Sequence, residues 1–179
     1  MSEFIQSERL ELRPMTPDFL IASLNGDRLA AAQWLGASVP RDWPDIPEVL
    51  SMRLQQLRKD PMLQPWLLRA MCHREARAMV GHIGFHTWPG ADYLNDWMPG
   101  AVEFGFSVLA PHRRRGYAEE AARALMSWAY DTHGIRKFVL TVAPNNLPSQ
   151  SLAAKLGFVS IGSHVDEVDG PEDILGLEY

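Results

Sequence analysis

Apolar and polar residues alternate from Val102 to Leu109. Val102, Phe104, Phe106 and Val108 fall on one side. Glu103, Gly105, Ser107 and Leu109 fall on the other, a period of two that predicts a strand. Pro111 stops the ladder. From Tyr117 the period changes. Ala118, Ala121, Ala122, Leu125, Ala129 and Thr132 recur at helical spacing, and Gly134 is the expected stop. A basic, glycine-containing turn from His112 to Ala118 therefore joins a strand end to a helix start.

The same reading runs along the chain. Leu10 and Leu12 alternate with Arg9, Glu11 and Arg13 in a short strand closed by Pro14. Thr16-Pro17-Asp18 starts a helix that runs to about Asn25, with Gly26 ending it. A second short helix holds Leu29 to Leu35. Asp45, Pro47 and Glu48 start a third, with a stripe at Val49, Leu50, Arg53, Leu54 and Leu57. Trp66 to Cys72 and Met79 to Phe85 read as strands around a charged turn. A loop from Thr87 to Ala101 follows. Phe138 to Val142 is a strand, Pro148 starts a helix ended by Gly157, and Phe158 to Ile161 returns as a strand. Val165 and Val168 flank a polar stretch before a turn at Asp169-Gly170-Pro171. Ile174 to Tyr179 is the last strand. This order predicts an α+β fold: a mixed, largely antiparallel sheet with helices on both faces.

At 179 residues the chain fits a single domain spanning 1–179. Its net charge of −5 argues against a general nucleic-acid binder. The single cysteine, Cys72, excludes an internal disulfide and suits a reducing cytoplasm. The first residues lack a basic segment followed by an apolar one, and no apolar run approaches a membrane span. A cytoplasmic location is the expectation. His82 and His86 are four apart in a strand pattern, which separates them too far for one metal, so no metal site is expected.

The basic turn suits a phosphate. The first turn of a helix carries N–H groups with no internal partner and partial positive charge. Gly116 lets a ligand approach the backbone, Ala118 adds almost no side chain, and Arg113, Arg114 and Arg115 supply charge and forked donors. The turn has neither G-x-x-x-x-G-K-[ST] nor G-x-G-x-x-G. The competing reading is a solvated basic turn at the head of a surface helix.

Arg113-x-x-Gly116-x-Ala118 resembles the (Q/R)-x-x-G-x-(G/A) acyl-CoA-binding motif of the GNAT superfamily of N-acetyltransferases. Asn146-Leu147-Pro148-Ser149, followed by Lys155-Leu156-Gly157-Phe158, resembles the N-x-x-S…K-L-G-F segment of that superfamily. Ser7-Glu8-Arg9-Leu10-Glu11-Leu12-Arg13-Pro14 resembles the first strand of the branch that acetylates alanine or serine N-termini of ribosomal proteins. The resemblance implies the GNAT fold and acetyl-CoA as cosubstrate. It also implies transfer to a primary amine by direct attack in a ternary complex. The 113–118 turn, Tyr117 included, would hold the pyrophosphate. The pantetheine arm would pair near Ser107 and Val108, and Asn146 would contact it. The Val108 N–H would serve the oxyanion. The tyrosine that many members use to protonate the leaving thiolate is absent, since the matching position is Ala153, and Ser149 is the branch's alternative. Asn146 reads equally as a helix cap.

Glu103 is the leading candidate for activating the amine. It shares a strand face with Gly105 and Ser107, and a carboxylate in a half-buried cleft is expected to have a raised pKa. It also matches an acidic position of many GNAT members. Its competing reading is a solvent-facing strand residue. For the acceptor, Trp88, Tyr93 and Trp97 offer ring faces to a cation, with Asp92 and Asp96 as charge. A peptide α-amine costs only about 1 kcal/mol to deprotonate at neutral pH, a lysine about 4.6 kcal/mol. A peptide N-terminus is therefore favoured. Polyamines and amino-sugar antibiotics remain as small-molecule acceptors. A non-catalytic acyl-CoA-binding domain, and a homodimer covering the loop, remain as alternatives.

Overall fold

The computed structural model describes residues 4–166 and 170–179. The chain opens with two short strands, β1 (Ile5–Gln6) and β2 (Leu10–Pro14), paired antiparallel. Only the second was expected; two residues show no periodicity. Helix α1 (Pro17–Leu24) starts as its sequence dictates, with Thr16 accepting from the Phe19 N–H and proline in the first turn. Helix α2 (Arg28–Leu35) follows a cap at Asp27. Helix α3 (Pro47–Lys59) buries Leu50, Leu54 and Leu57, each stabilising by about 2 kcal/mol relative to exposure. Its cap position is Ile46 rather than Asp45.

Strand β3 (Arg69–His73) begins three residues later than expected. Trp66 and Leu67 both donate to the Leu63 carbonyl and so continue the 3₁₀ turn at Pro61–Leu63. Strands β4 (Ala78–Phe85) and β5 (Val102–Val108) occupy the expected segments, but their burial does not alternate: β4 is buried almost throughout, and β5 passes from a buried half at Val102–Phe104 to a half-buried one from Gly105 to Val108. The 87–101 segment is not wholly irregular, because Asp92–Leu94 forms a 3₁₀ turn. Helix α4 (Tyr117–His133) and strand β6 (Lys137–Val142) are as expected. Helix α5 (Leu147–Leu156) begins one residue before Pro148, since Asn146 caps it. Strand β7 (Val159–Asp166) and strand β8 (Gly170–Glu178) are longer than expected. Their outer parts pair polar residues, Ser163 with Asp173 and His164 with Glu172, which leave no apolar alternation to read. Val168 and Asp169 lie outside the described residues.

The strands follow the order β1-β2-β3-β4-β5-β6-β8-β7 in an eight-stranded sheet. β5 and β6 pair parallel at Val102–Phe138 and Glu103–Val139, whereas β2–β3, β3–β4, β6–β8 and β7–β8 are antiparallel. The sheet is therefore mixed. The residues fall into two units, Met1–Gly84 with Phe106–Ala124, and Phe85–Gly105 with Leu125–Tyr179. The first has a core around Phe19, Leu20, Leu50 and Leu67. In the second, Leu94, Ala101, Val139 and Ile174 cluster. Among the described residues, no helix is long and apolar enough to cross a membrane.

Candidate functional site

The basic turn lies wholly in the first unit. After a 3₁₀ turn at Ala110–His112, Arg114 takes φ 60° and Gly116 φ 80°, and α4 begins at Tyr117. Gly116 is required by this conformation. A Cβ there would meet only the Arg9 Nη2, at 3.4 Å, so no backbone blocks the approach of a ligand from that side. Arg113, Arg114, Arg115 and Gly116 are exposed. Their arrangement differs in detail from three equivalent phosphate donors. Arg113 Nε donates to the Val108 carbonyl at 2.9 Å and braces the turn. The Tyr117 ring is buried beneath the Arg9 guanidinium, 4.7 Å from the ring centroid, which leaves only its backbone to a ligand. Ser107, Val108 and Ala118 are half-buried. Arg114, Arg115 and the backbone of 116–118 are the groups suited to an anion.

Asn146 and Ser149 belong to the second unit. The Asn146 Oδ1 accepts from the Ser149 N–H at 3.3 Å, so the capping role that its sequence context offered is occupied.

Glu103 is also in the second unit, and it is not a solvent-facing strand residue. It is 8% exposed. Its Oε2 accepts from the Tyr93 hydroxyl at 2.8 Å and faces His86 Nδ1 at 3.2 Å. Its Oε1 accepts from the Thr141 hydroxyl. The raised pKa expected for a carboxylate in a cleft is reversed. Burial pushes it up, but the hydrogen bond and charge of His86, the Tyr93 hydroxyl and the charge of His164 together hold it below the ordinary carboxylate value.

These groups wall a cavity of about 550 Å³. Glu103 and Thr141 stand with His86 on one part of it. Tyr93, Leu94 and Trp97 come from the 87–101 segment. His164, Asp166 and Glu172 come from β7 and β8. Of the aromatic and acidic residues expected to receive the acceptor, Tyr93 and Trp97 line the cavity. Trp88, Asp92 and Asp96 do not. The negative charge comes instead from Glu103, Asp166 and Glu172, with His164 Nε2 3.5 Å from the Glu172 carboxylate. Sequence reasoning did not find His86, Thr141, His164, Asp166 or Glu172 as site residues. His86 lies one residue past β4, and the hairpin carboxylates sit in a polar stretch without periodicity.

The profile of a family described as Acetyltransferase (GNAT) domain matches residues 9–159. A relative from Bacillus subtilis, the N-acetyltransferase YjdG, described as uncharacterized, is 27% identical over 87% of this chain and 89% of its own length. Among solved structures, a GNAT-family acetyltransferase from Bacillus anthracis superposes with a TM-score of 0.64 at 17% identity, covering 98% of both chains. The ribosomal alpha-N-protein acetyltransferase RimL, in complex with coenzyme A, superposes with a TM-score of 0.65 at 20% identity, again over 98% of both.

Proposed function

The chain belongs to the acetyltransferase (GNAT) domain family, and from that premise we propose that it transfers an acetyl group from acetyl-CoA to a cationic primary amine, a peptide N-terminus above all. The observation that carries this reading is the turn at 113–118. Left-handed backbone at Arg114 and Gly116, exposed arginines and the head of a 17-residue helix converge there. These residues fit a CoA pyrophosphate: Arg114 and Arg115 by charge, the 116–118 backbone by N–H donation.

The acceptor side is supported by the cavity of the second unit. Three carboxylates and two aromatic rings suit a positively charged amine. Glu103 contributes to amine activation in this reading. The Val108 N–H would bind the oxyanion, Asn146 the pantetheine arm, and Ser149 would protonate the leaving thiolate. The RimL likeness adds an α-amine precedent from a protein of the same fold.

Two measurements test the proposal. Arg114→Glu combined with Arg115→Glu should weaken acetyl-CoA binding at least tenfold by calorimetry, about 1.4 kcal/mol, in a folded protein. A peptide with a free α-amine should release CoA thiol faster than the same peptide blocked there but carrying lysine. Equal affinity in the first case, or equal rates in the second, overturns the corresponding half of the reading.

A further inference from the structure

His86 is fastened to Glu103 twice. Its backbone N–H donates to the Glu103 carbonyl at 2.9 Å, and its Nδ1 lies 3.2 Å from Oε2 of the same residue. A neutral imidazole held to a carboxylate through Nδ1 carries its proton there and its lone pair on Nε2. The direction of Nε2 is set by Gly105. A Cβ at that position would stand 3.1 Å from Nε2, so the ring lies over the bare backbone of β5. Gly105 is on the strand face of Glu103, two residues before Ser107.

We infer that His86 is the catalytic residue that takes the proton from the acceptor amine, and that Glu103 is the positioning residue that holds its imidazole. This deepens the acetyltransferase reading and rests on it. The carboxylate is the poorer acceptor of the two. Its oxygens already receive Tyr93, Thr141 and His86, and every one of these donors favours the ionised form. The other imidazole, His164, is directed at Glu172 across the β7–β8 pair. The arrangement is that of a base oriented by a third group.

The step balances. An acceptor ammonium gives one proton to His86 Nε2, and the Nδ1–H bond to Glu103 steadies the resulting imidazolium. The freed nitrogen lone pair forms the C–N bond at the thioester carbonyl carbon. The C–S bond breaks, and its electron pair leaves on the CoA sulfur. The Ser149 hydroxyl gives its proton to that sulfur and regains one from the second amine proton lost as the amide forms, and the proton on His86 goes to solvent. The groups facing this pair are Tyr93 from the 3₁₀ turn, Thr141 from β6, His164 and Asp166 from β7, and Glu172 from β8.

The test has two arms on the full chain. In the first, the CoA thiol released from acetyl-CoA is followed against pH, with a serine-initiated peptide carrying a free α-amine. His86→Gln should lower kcat by about 10²-fold and abolish the acidic limb of the rate profile, with acetyl-CoA affinity unchanged. Glu103→Gln should lower kcat less. In the second, ¹⁵N spectra of the His86 ring at alkaline pH should show the Nδ1–H tautomer, and Glu103→Gln should change it. A His86→Gln enzyme with wild-type kcat across the range, or an Nε2–H ring in the wild type, overturns the assignment. Wild-type protein that binds no acetyl-CoA refutes the acetyltransferase reading instead. Wild-type protein that binds acetyl-CoA but does not turn over this peptide refutes the peptide acceptor. In either case the ring spectra alone decide the Glu103–His86 relation.

Discussion

The Glu120 carboxylate holds the Arg9 guanidinium at both Nε and Nη2, each at 2.7 Å. The same carboxylate accepts the Arg9 N–H and the Ser7 hydroxyl, also at 2.7 Å. Arg9 Nη1 then donates to the Arg115 carbonyl at 3.0 Å. One forked side chain thus ties the approach to β2 to the basic turn and the first turn of α4. Nε and Nη2 converge on the one oxygen, Oε2, while Nη1 reaches the turn, and a single ammonium does not reproduce this spread of planar donors. Arg9→Ala should raise the KM for acetyl-CoA about tenfold with kcat nearly unchanged. Arg9→Lys should recover little of it. Initial rates against acetyl-CoA concentration check this, and an unchanged KM would show that the clamp does not shape the turn.

Much of this framework was legible because its signals are local. Thr16 with Pro17 caps α1, and Gly157 ends α5 at φ 97°. The 102–109 alternation and the helical spacing after Tyr117 are features of contiguous residues. The resemblance at Ser7–Pro14 marked the segment that carries Arg9, but no residue pattern could show that Arg9 meets Glu120, 111 positions away. Glu103 illustrates the same limit. Its place on a strand face was readable, but its partners are not: His86 lies just past β4, Tyr93 sits in a 3₁₀ turn with no periodicity to mark it, and Thr141 follows 38 positions later. The sign of its pKa shift turned on those partners. Burial alone argues for a raised value, and the hydrogen bonds of His86 and Tyr93, with the charges of His86 and His164, reverse it.

That reversal predicts an acid sensitivity. A carboxyl held below its unfolded value stabilises the fold wherever it is ionised. The contribution is complete above the ordinary glutamate value of about 4.3 and is lost as the pH falls through the lowered folded value. Urea midpoints should therefore fall more steeply below about pH 4.3 in the wild type than in Glu103→Gln. Parallel pH dependence in the two proteins would show that Glu103 titrates as an ordinary carboxyl.

Cys72 offers a probe of opening. It is buried, and burial pushes its thiol up to about 12, with the Arg13 charge opposing only part of this. At pH 8 the thiolate is then about one part in 10⁴. A chromogenic disulfide reagent should find no reactive thiol in the native protein and one equivalent in urea. Fast labelling of the native state would mean that the β2–β3 region opens locally.

One wall of the second unit's cavity rests on a glycine of β7. Trp97 is 36% exposed and lines the cavity, and its ring lies directly on Gly162 of β7. A Cβ at Gly162 would overlap the ring carbons Cζ3 and Cε3, so Gly162→Ala must move the indole. No flexible chain end is available to yield, because the ring is rigid. Gly162 pairs with Ile174, another cavity residue, in the ladder between β7 and β8. Displacing the ring removes an aromatic face from a site read as receiving a cation, a contact worth about 1 kcal/mol. Gly162→Ala should therefore raise the acceptor KM about fivefold, and Trp97→Ala should do the same. Acetyl-CoA affinity, assigned in the proposed function to the 113–118 turn, should not change in either variant. Steady-state rates against acceptor concentration at saturating acetyl-CoA decide it. If Gly162→Ala lowers the melting temperature but leaves acceptor KM at the wild-type value, the Trp97–Gly162 contact supports the hairpin and not the acceptor.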